Sequence, residues 1–230
     1  LLSYILRELA HEKDMKGLKV CVTAGPTRET IDPVRFISNR STGKMGFALA
    51  KNAMERGADV TLVSGPVELK DVPFVKMVHV ESARQMFEAV TKEAETADII
   101  VKAAAVADYR PAVVADEKIK KKDGDMSIAL ERTDDIIGTL GKTKRDNLFL
   151  CGFSMETEHM LENSKAKLEK KNLDMIIANN VKVKGAGFGT DTNVVTLITK
   201  DEIKELPIMS KEDVADEIFN NILANRKGIV

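Results

Sequence analysis

Six short apolar runs recur along this chain, and helix-like stretches fill most of the intervals between them. The strand-like runs are LKVCVTA (18–24), DVTLVS (59–64), FVKMVHV (74–80), DIIVKAAAV (98–106), NLFLCGF (147–153) and LDMIIAN (173–179). The helix-like runs are GKMGFALAKNAMERG (43–57), SARQMFEAVTKEAET (82–96), DDIIGTLGK (134–142) and EHMLENSKAKLEKKN (158–172). Gly57 suits a helix C-terminus. Several central runs are apolar at successive positions, as strands buried on both faces require. Such alternation predicts right-handed crossovers and an α/β, Rossmann-like, doubly wound, mostly parallel sheet. Near the C-terminus, NVVTLITKDEIKELP predicts a β-hairpin extension turning at Lys200-Asp201, with a helix from Ser210.

A chain of 230 residues, 43% hydrophobic, can bury one sizeable core. We expect a single domain over 17–230. Residues 1–16 read equally well as a linker or remnant of an upstream domain and as a native N-terminal helix. The net charge of -1 offers no basic field for nucleic acid. No apolar run approaches the roughly 20 residues that span a bilayer, so no membrane partner is expected. The start, LLSYILRELAHEKDMKG, carries charges of both signs and reads poorly as a signal peptide. Cys21 and Cys151 each lie in an apolar run, which points to buried free thiols and a cytoplasmic location.

The segment AGPTRETIDPVRFISNRSTGKMG links the first strand to the first strong helix. It is not a P-loop, because Met45 follows Gly43-Lys44 and Ser38 occupies the place of the first glycine. It is not an ordinary dinucleotide fingerprint either. Gly25 and Gly43 are eighteen positions apart, and the second strand ends in VSGP without a ribose-binding acid. What survives is a helix opening with Gly43, Lys44 and Gly46, whose backbone N–H groups favour an anion. The loop carries Thr27, Arg28, Arg35, Asn39, Arg40, Ser41 and Thr42, donors suited to phosphates, carboxylates and amides. A structureless loop of this length is more often functional than a solvated accident.

Three further stretches carry candidate chemistry. AAAVADYRP (103–111) allows a flat ligand close to small side chains, with Asp108 at the strand's carboxyl end; the bland alternative is packing with Asp108 as a turn residue. EKIKKKDGD places Lys118, Lys120, Lys121 and Lys122 within five positions, either a solvated face or a mobile flap over a polyphosphate that turns at Asp123-Gly124. Lys167 and Lys171 share a helix face, where they reach a phosphate or serve solubility. His11, His79 and His159 are scattered and form no metal set. No nucleophile elbow is visible. Positioning and charge stabilisation remain, the logic of phosphoryl and nucleotidyl transfer. The rivals are an NAD(P)-dependent Rossmann reductase and a non-catalytic nucleotide-binding subunit.

The motifs VTAGPTRETIDPVRFISNRSTGKMG, AAAVADYRP, EKIKK, TDDII, GFSMET and KLEKKNLDMIIAN resemble those of bacterial phosphopantothenoylcysteine synthetase, in register from about Gly17 to Arg226. The resemblance implies a ligase of coenzyme A biosynthesis that joins 4'-phosphopantothenate to L-cysteine. It further implies CTP as co-substrate with Mg2+, an acyl-cytidylate intermediate, and release of pyrophosphate and then CMP. By the same resemblance Asn39 and Lys118 are catalytic, Asn39 contacting the acyl-nucleotide and Lys118 opening the flap. Arg35, with Asn39, Gly43 and Lys44, binds the phosphopantothenate. Ala104, Ala105, Asp108, Lys118, Asp135, Ile136, Phe153, Lys167 and Lys171 surround the nucleotide. The magnesium ligands stay unassigned. A homodimer is implied, as is fusion to a flavin-dependent phosphopantothenoylcysteine decarboxylase. Thr133-Asp134 departs from the Asn-Pro of many members, which bears on the local backbone there.

Overall fold

A computed structural model describes residues 2–121, 125–155, 159–179, 187 and 189–226. The chain runs α1 (Leu2–Leu9), β1 (Lys19–Ala24), β2 (Arg28–Thr30), β3 (Phe36–Ser38), α2 (Lys44–Glu55), β4 (Asp59–Ser64) and β5 (Lys76–His79). It continues with α3 (Ala83–Ala94), β6 (Ile99–Lys102), β7 (Tyr109–Pro111), β8 (Leu130–Arg132), α4 (Ile136–Lys142), β9 (Phe149–Met155) and α5 (Met160–Lys170). The C-terminal part holds β10 (Met175–Asn179), β11 (Thr192–Asn193), β12 (Val195–Thr199), β13 (Ile203–Glu205), β14 (Met209–Ser210) and α6 (Lys211–Asn225).

Eight strands form one sheet in the order β13-β12-β10-β9-β6-β1-β4-β5. From β10 to β5 every neighbour pairs in parallel, whereas β12 pairs antiparallel with both β10 and β13. Counted along the chain, the parallel strands lie in the order third, second, first, fourth, fifth, sixth, the Rossmann arrangement. Each central strand sends alternate residues to opposite cores. Val20, Val22, Ile99, Val101, Met175 and Ile177 join Leu49, Ile218 and Phe219 of α2 and α6. Cys21, Ile100, Leu150 and Ile176 join Met86, Ile136 and Leu168 of α3, α4 and α5. Burial on both faces explains why the strands read as continuous apolar runs rather than as an alternation.

The hairpin expected at Lys200-Asp201 is present, closed by Thr199 N–H to Glu202 O at 2.9 Å. Ser210 caps α6 by accepting the Asp213 N–H. α1 places Tyr4 edge-on against Phe74, with ring centroids 4.7 Å apart, and Met15 is buried within the core.

The segment after β1 differs from the structureless loop expected. β2 and β3 fold it into an antiparallel ribbon. The ribbon turns over Asp32, whose Oδ1 accepts the N–H groups of Val34 and Arg35, each at 2.9 Å. An aspartate three residues before an arginine closes its own turn, so the polar loop acquires structure from side-chain bonds that hydropathy does not register. A second ribbon, β7 with β8, flanks the lysine run.

Candidate functional site

The strand order reverses between β1 and β6, so the loops leaving their carboxyl ends diverge and open a crevice. Two lobes share its floor. The first, about 340 Å³, is bounded by Asn39, by Gly43, Lys44 and Gly46 at the start of α2, and by Ala104 and Ala105 after β6. The second, about 460 Å³, is bounded by Asp135 and Ile136 at the start of α4, by Lys167 and Lys171, and by Arg132. Lys102, Val106, Asp108 and Phe153 line both lobes and form the seam between them.

The first lobe is built by close backbone approach. Gly43 caps α2 with φ 79° and no side-chain cap, which leaves N–H groups of the first turn directed at the lobe. Gly46 lets α2 pack against β1: a Cβ there would lie 2.5 Å from Ala24 Cβ and 2.8 Å from Thr23 O. The alanine corner is pinned from the β1 side. Ala104 N–H donates to Thr23 Oγ1 (3.0 Å), Ala105 N–H to Gly25 O (2.9 Å) and Ala107 N–H to Thr27 Oγ1 (3.0 Å). From the opposite rim the Asn39 amide donates to Ala105 O at 2.8 Å. Lys44 reaches Asp191 (2.7 Å) and Gly189 O (3.1 Å), holding the far wall.

The second lobe is electrostatic. Asp135 caps α4 by accepting the Gly138 N–H at 3.1 Å and pairs with Lys171 at 3.0 Å. Burial pushes its carboxyl upward, but the Lys171 ammonium and the Gly138 N–H outweigh it and hold it below its ordinary range. Asp135 is therefore an ionised post that aims Lys171. Thr133, at the departure from Asn-Pro, donates its hydroxyl to Ala107 O at 2.6 Å and so ties the second lobe to the alanine corner.

Arg35 and Lys118 line neither lobe. Arg35 chelates the buried Asp32 carboxylate and donates to Ile119 O at 2.9 Å, while Asp32 Oδ2 accepts the Ile119 N–H at 3.1 Å. The Arg35 hydrogen bonds hold the Asp32 carboxyl far below the usual carboxylate range. Lys118 is thereby fixed at its backbone beside Ile119, and its side chain is exposed. The flap's Lys122 and its turn at Asp123-Gly124 lie outside the described residues.

Several lining residues escaped the sequence reading. Asn179 ends β10 and is 8% exposed, and among the described residues no group hydrogen-bonds its Oδ1. Asn193, Ser154 and Lys211 also line the first lobe. Lys102 is the most consequential: it stands at the seam, and burial, reinforced by Lys171, brings its ammonium down to about 8. The signal was a lysine inside the apolar run DIIVKAAAV and an asparagine at a strand's carboxyl end. Among the described residues no three His, Cys, Asp or Glu side chains converge on a metal position. Among the same residues no helix is long and apolar enough to cross a membrane. Cys21 and Cys151 are free and buried, and burial pushes the Cys21 thiol up to about 12.

The sheet order and the paired lobes define a Rossmann-like domain with two joined cavities at the carboxyl end of its sheet. The chain belongs to the family described as DNA/pantothenate metabolism flavoprotein C-terminal domain, which it matches over residues 15–225. It is 52% identical over 216 residues to the coenzyme A biosynthesis bifunctional protein CoaBC of Bacillus subtilis, covering 93% of this chain and 53% of that protein. It is 45% identical over 213 residues to CoaBC of Escherichia coli K12, covering 91% and 52%. The chain thus spans about half the length of these relatives. The crystal structure of a CoaBC C-terminal domain superposes with a TM-score of 0.78 at 44% identity, covering 90% of this chain and 95% of that one. The family resemblance read from the motifs and the Rossmann-like fold are both borne out.

Proposed function

We propose that this domain is the phosphopantothenate–cysteine ligase of coenzyme A biosynthesis, using CTP. The observation that carries the reading is the two-lobed crevice with a shared seam. A condensation through an acyl-nucleotide needs two substrates held end to end, with their reacting atoms at one point. The anion-binding start of α2 suits the phosphate of 4'-phosphopantothenate in the first lobe. The lysine-lined second lobe suits a nucleoside triphosphate.

In the first step a carboxylate oxygen of the substrate forms a bond to the α-phosphorus of CTP. The bond from that phosphorus to the bridging oxygen breaks, and pyrophosphate leaves with the electron pair. In the second step the amine of L-cysteine attacks the acyl carbon, CMP departs, and the amine gives up a proton as the amide forms. Asn39, bonded to the alanine corner, would orient the acyl group through an amide that both donates and accepts. Mg2+ would enter as a companion of the triphosphate, coordinated mainly by phosphate oxygens and water. It would neutralise charge on the departing pyrophosphate.

Arg35 and Lys118 belong to this reading through a second copy of the chain. Val34 and Phe36 of the first ribbon, Leu130 of the second, and Val113 and Val114 just after β7 are exposed, apolar groups that a homodimer would cover. A symmetric partner would bring the Asp32–Arg35 turn and the lysine run against the other crevice. The bifunctional relatives, about twice as long, support fusion to the flavin-dependent decarboxylase. The test is pyrophosphate release with phosphopantothenate, L-cysteine and either CTP or ATP. Release should be much faster with CTP. Equal rates would refute the choice of base, and no release with either would refute the ligase.

A further inference from the structure

Lys102 closes β6 with its side chain in the wall common to both lobes. Among the described residues no hydrogen bond or salt bridge engages its ammonium. The charged groups that face it are Lys171 and Lys167, which disfavour its positive form, and Asp108 and Asp135, which favour it. The two carboxylates offset the two neighbouring cations, and Lys171 already pairs with Asp135; the Lys102 ammonium, bonded to no carboxylate among the described residues, is left to meet an incoming anion in this polar crevice. Lys102 lines both lobes, so an anion at the seam between them would lie against it.

We infer that Lys102 is a further catalytic residue, whose ammonium contacts the pentavalent phosphorus centre formed at the seam when a carboxylate in one lobe attacks the α-phosphate in the other. This rests on the ligase reading above. Lys102 gives and takes no proton in this step. The carboxylate–phosphorus bond forms, the bond to pyrophosphate breaks, and the ammonium offsets negative charge gathering on the non-bridging oxygens. Removing one such preorganised donor typically lowers a rate by about 10²–10³-fold. The amine must be charged to act, so the step should fall off as pH rises through about 8.

The experiment reads the first step alone, as the pyrophosphate burst with CTP, Mg2+ and phosphopantothenate. L-Cysteine is omitted because its own amine would obscure the pH profile. Wild type should show a second-order burst rate constant for CTP that declines above pH 8. Lys102→Met should lose about 10²-fold or more in burst rate with a smaller change in CTP affinity by calorimetry. Lys102→Arg should retain most of the rate and shift the decline to higher pH, because a guanidinium stays charged throughout. No burst from wild type would refute the ligase reading itself. A normal wild-type burst with Lys102→Met unimpaired would overturn the role of Lys102 alone. So would a rate that climbs through pH 8, which marks a neutral amine acting as base, or an unmoved decline in Lys102→Arg.

Discussion

Gly46→Ala tests whether the start of α2 is held where it is by the absence of a single carbon. The added Cβ meets Ala24 Cβ at 2.5 Å and Thr23 O at 2.8 Å, and neither neighbour has a rotamer through which to escape. Carbon atoms rest about 3.5–4.0 Å apart. The helix must therefore retreat by about 1 Å. Overpacking of this kind costs about 1–3 kcal/mol, while replacing a helical glycine by alanine returns about 0.5–1 kcal/mol. The net loss is about 0–2.5 kcal/mol, and for a chain of this size each kcal/mol lowers Tm by roughly 2–4 °C. A second effect is larger at the site than in the fold. The same retreat draws the N–H groups around Gly43 and Lys44 away from the first lobe, where a hydrogen bond to a charged group is worth about 1.5–3 kcal/mol. Affinity for phosphopantothenate should fall about ten- to a hundredfold. Calorimetric melting and isothermal titration of the one variant give both numbers. An unchanged Tm together with unchanged affinity would refute the reasoning, because it would show that α2 does not depend on this contact for its position.

Two other perturbations separate the parts of the site. Asn39→Asp keeps the side chain's shape but removes its donor to Ala105 O and adds negative charge beside an anionic intermediate. Acyl-cytidylate should still form and accumulate while amide formation fails; mass spectrometry of the mixed reaction detects it, and normal product formation would refute the role. Asp32→Asn weakens the turn that orders Arg35 and Ile119. The wild-type carboxyl has a folded pKa below its unfolded value, so its contribution is present above about pH 4 and fades as acid protonates it. Urea melts should show the variant less stable at neutral pH and the gap closing below about pH 4; a gap independent of pH would contradict this assignment.

The local pattern of this chain is enough to place the strands of the main sheet and most of the helices, but not the short ribbons β2–β3 and β7–β8. Runs such as DIIVKAAAV and LDMIIAN are apolar on successive residues because both faces of the sheet are covered, and that pattern survives in one dimension. The hairpin at Lys200-Asp201 and the helix after Ser210 were legible for the same reason, since turn and cap chemistry acts within a few residues. The site was legible only in its parts. Asn39 and the alanine corner read as ligand-binding stretches, but the bond joining Asn39 to Ala105 spans 66 positions. Arg35 read as a donor for substrate, yet the folded chain turns it to Asp32 and to Ile119, 84 positions away. Lys171 read equally well as a solubilising charge until Asp135, 36 positions upstream, fixed its direction. Lys102 is not legible as a site residue in a strand whose sequence is simply that of a buried one. Periodicity reports which face of an element is apolar. Where a polar side chain finally points depends on which loops the strand order brings to the same end of the sheet, and only the tertiary structure decided that.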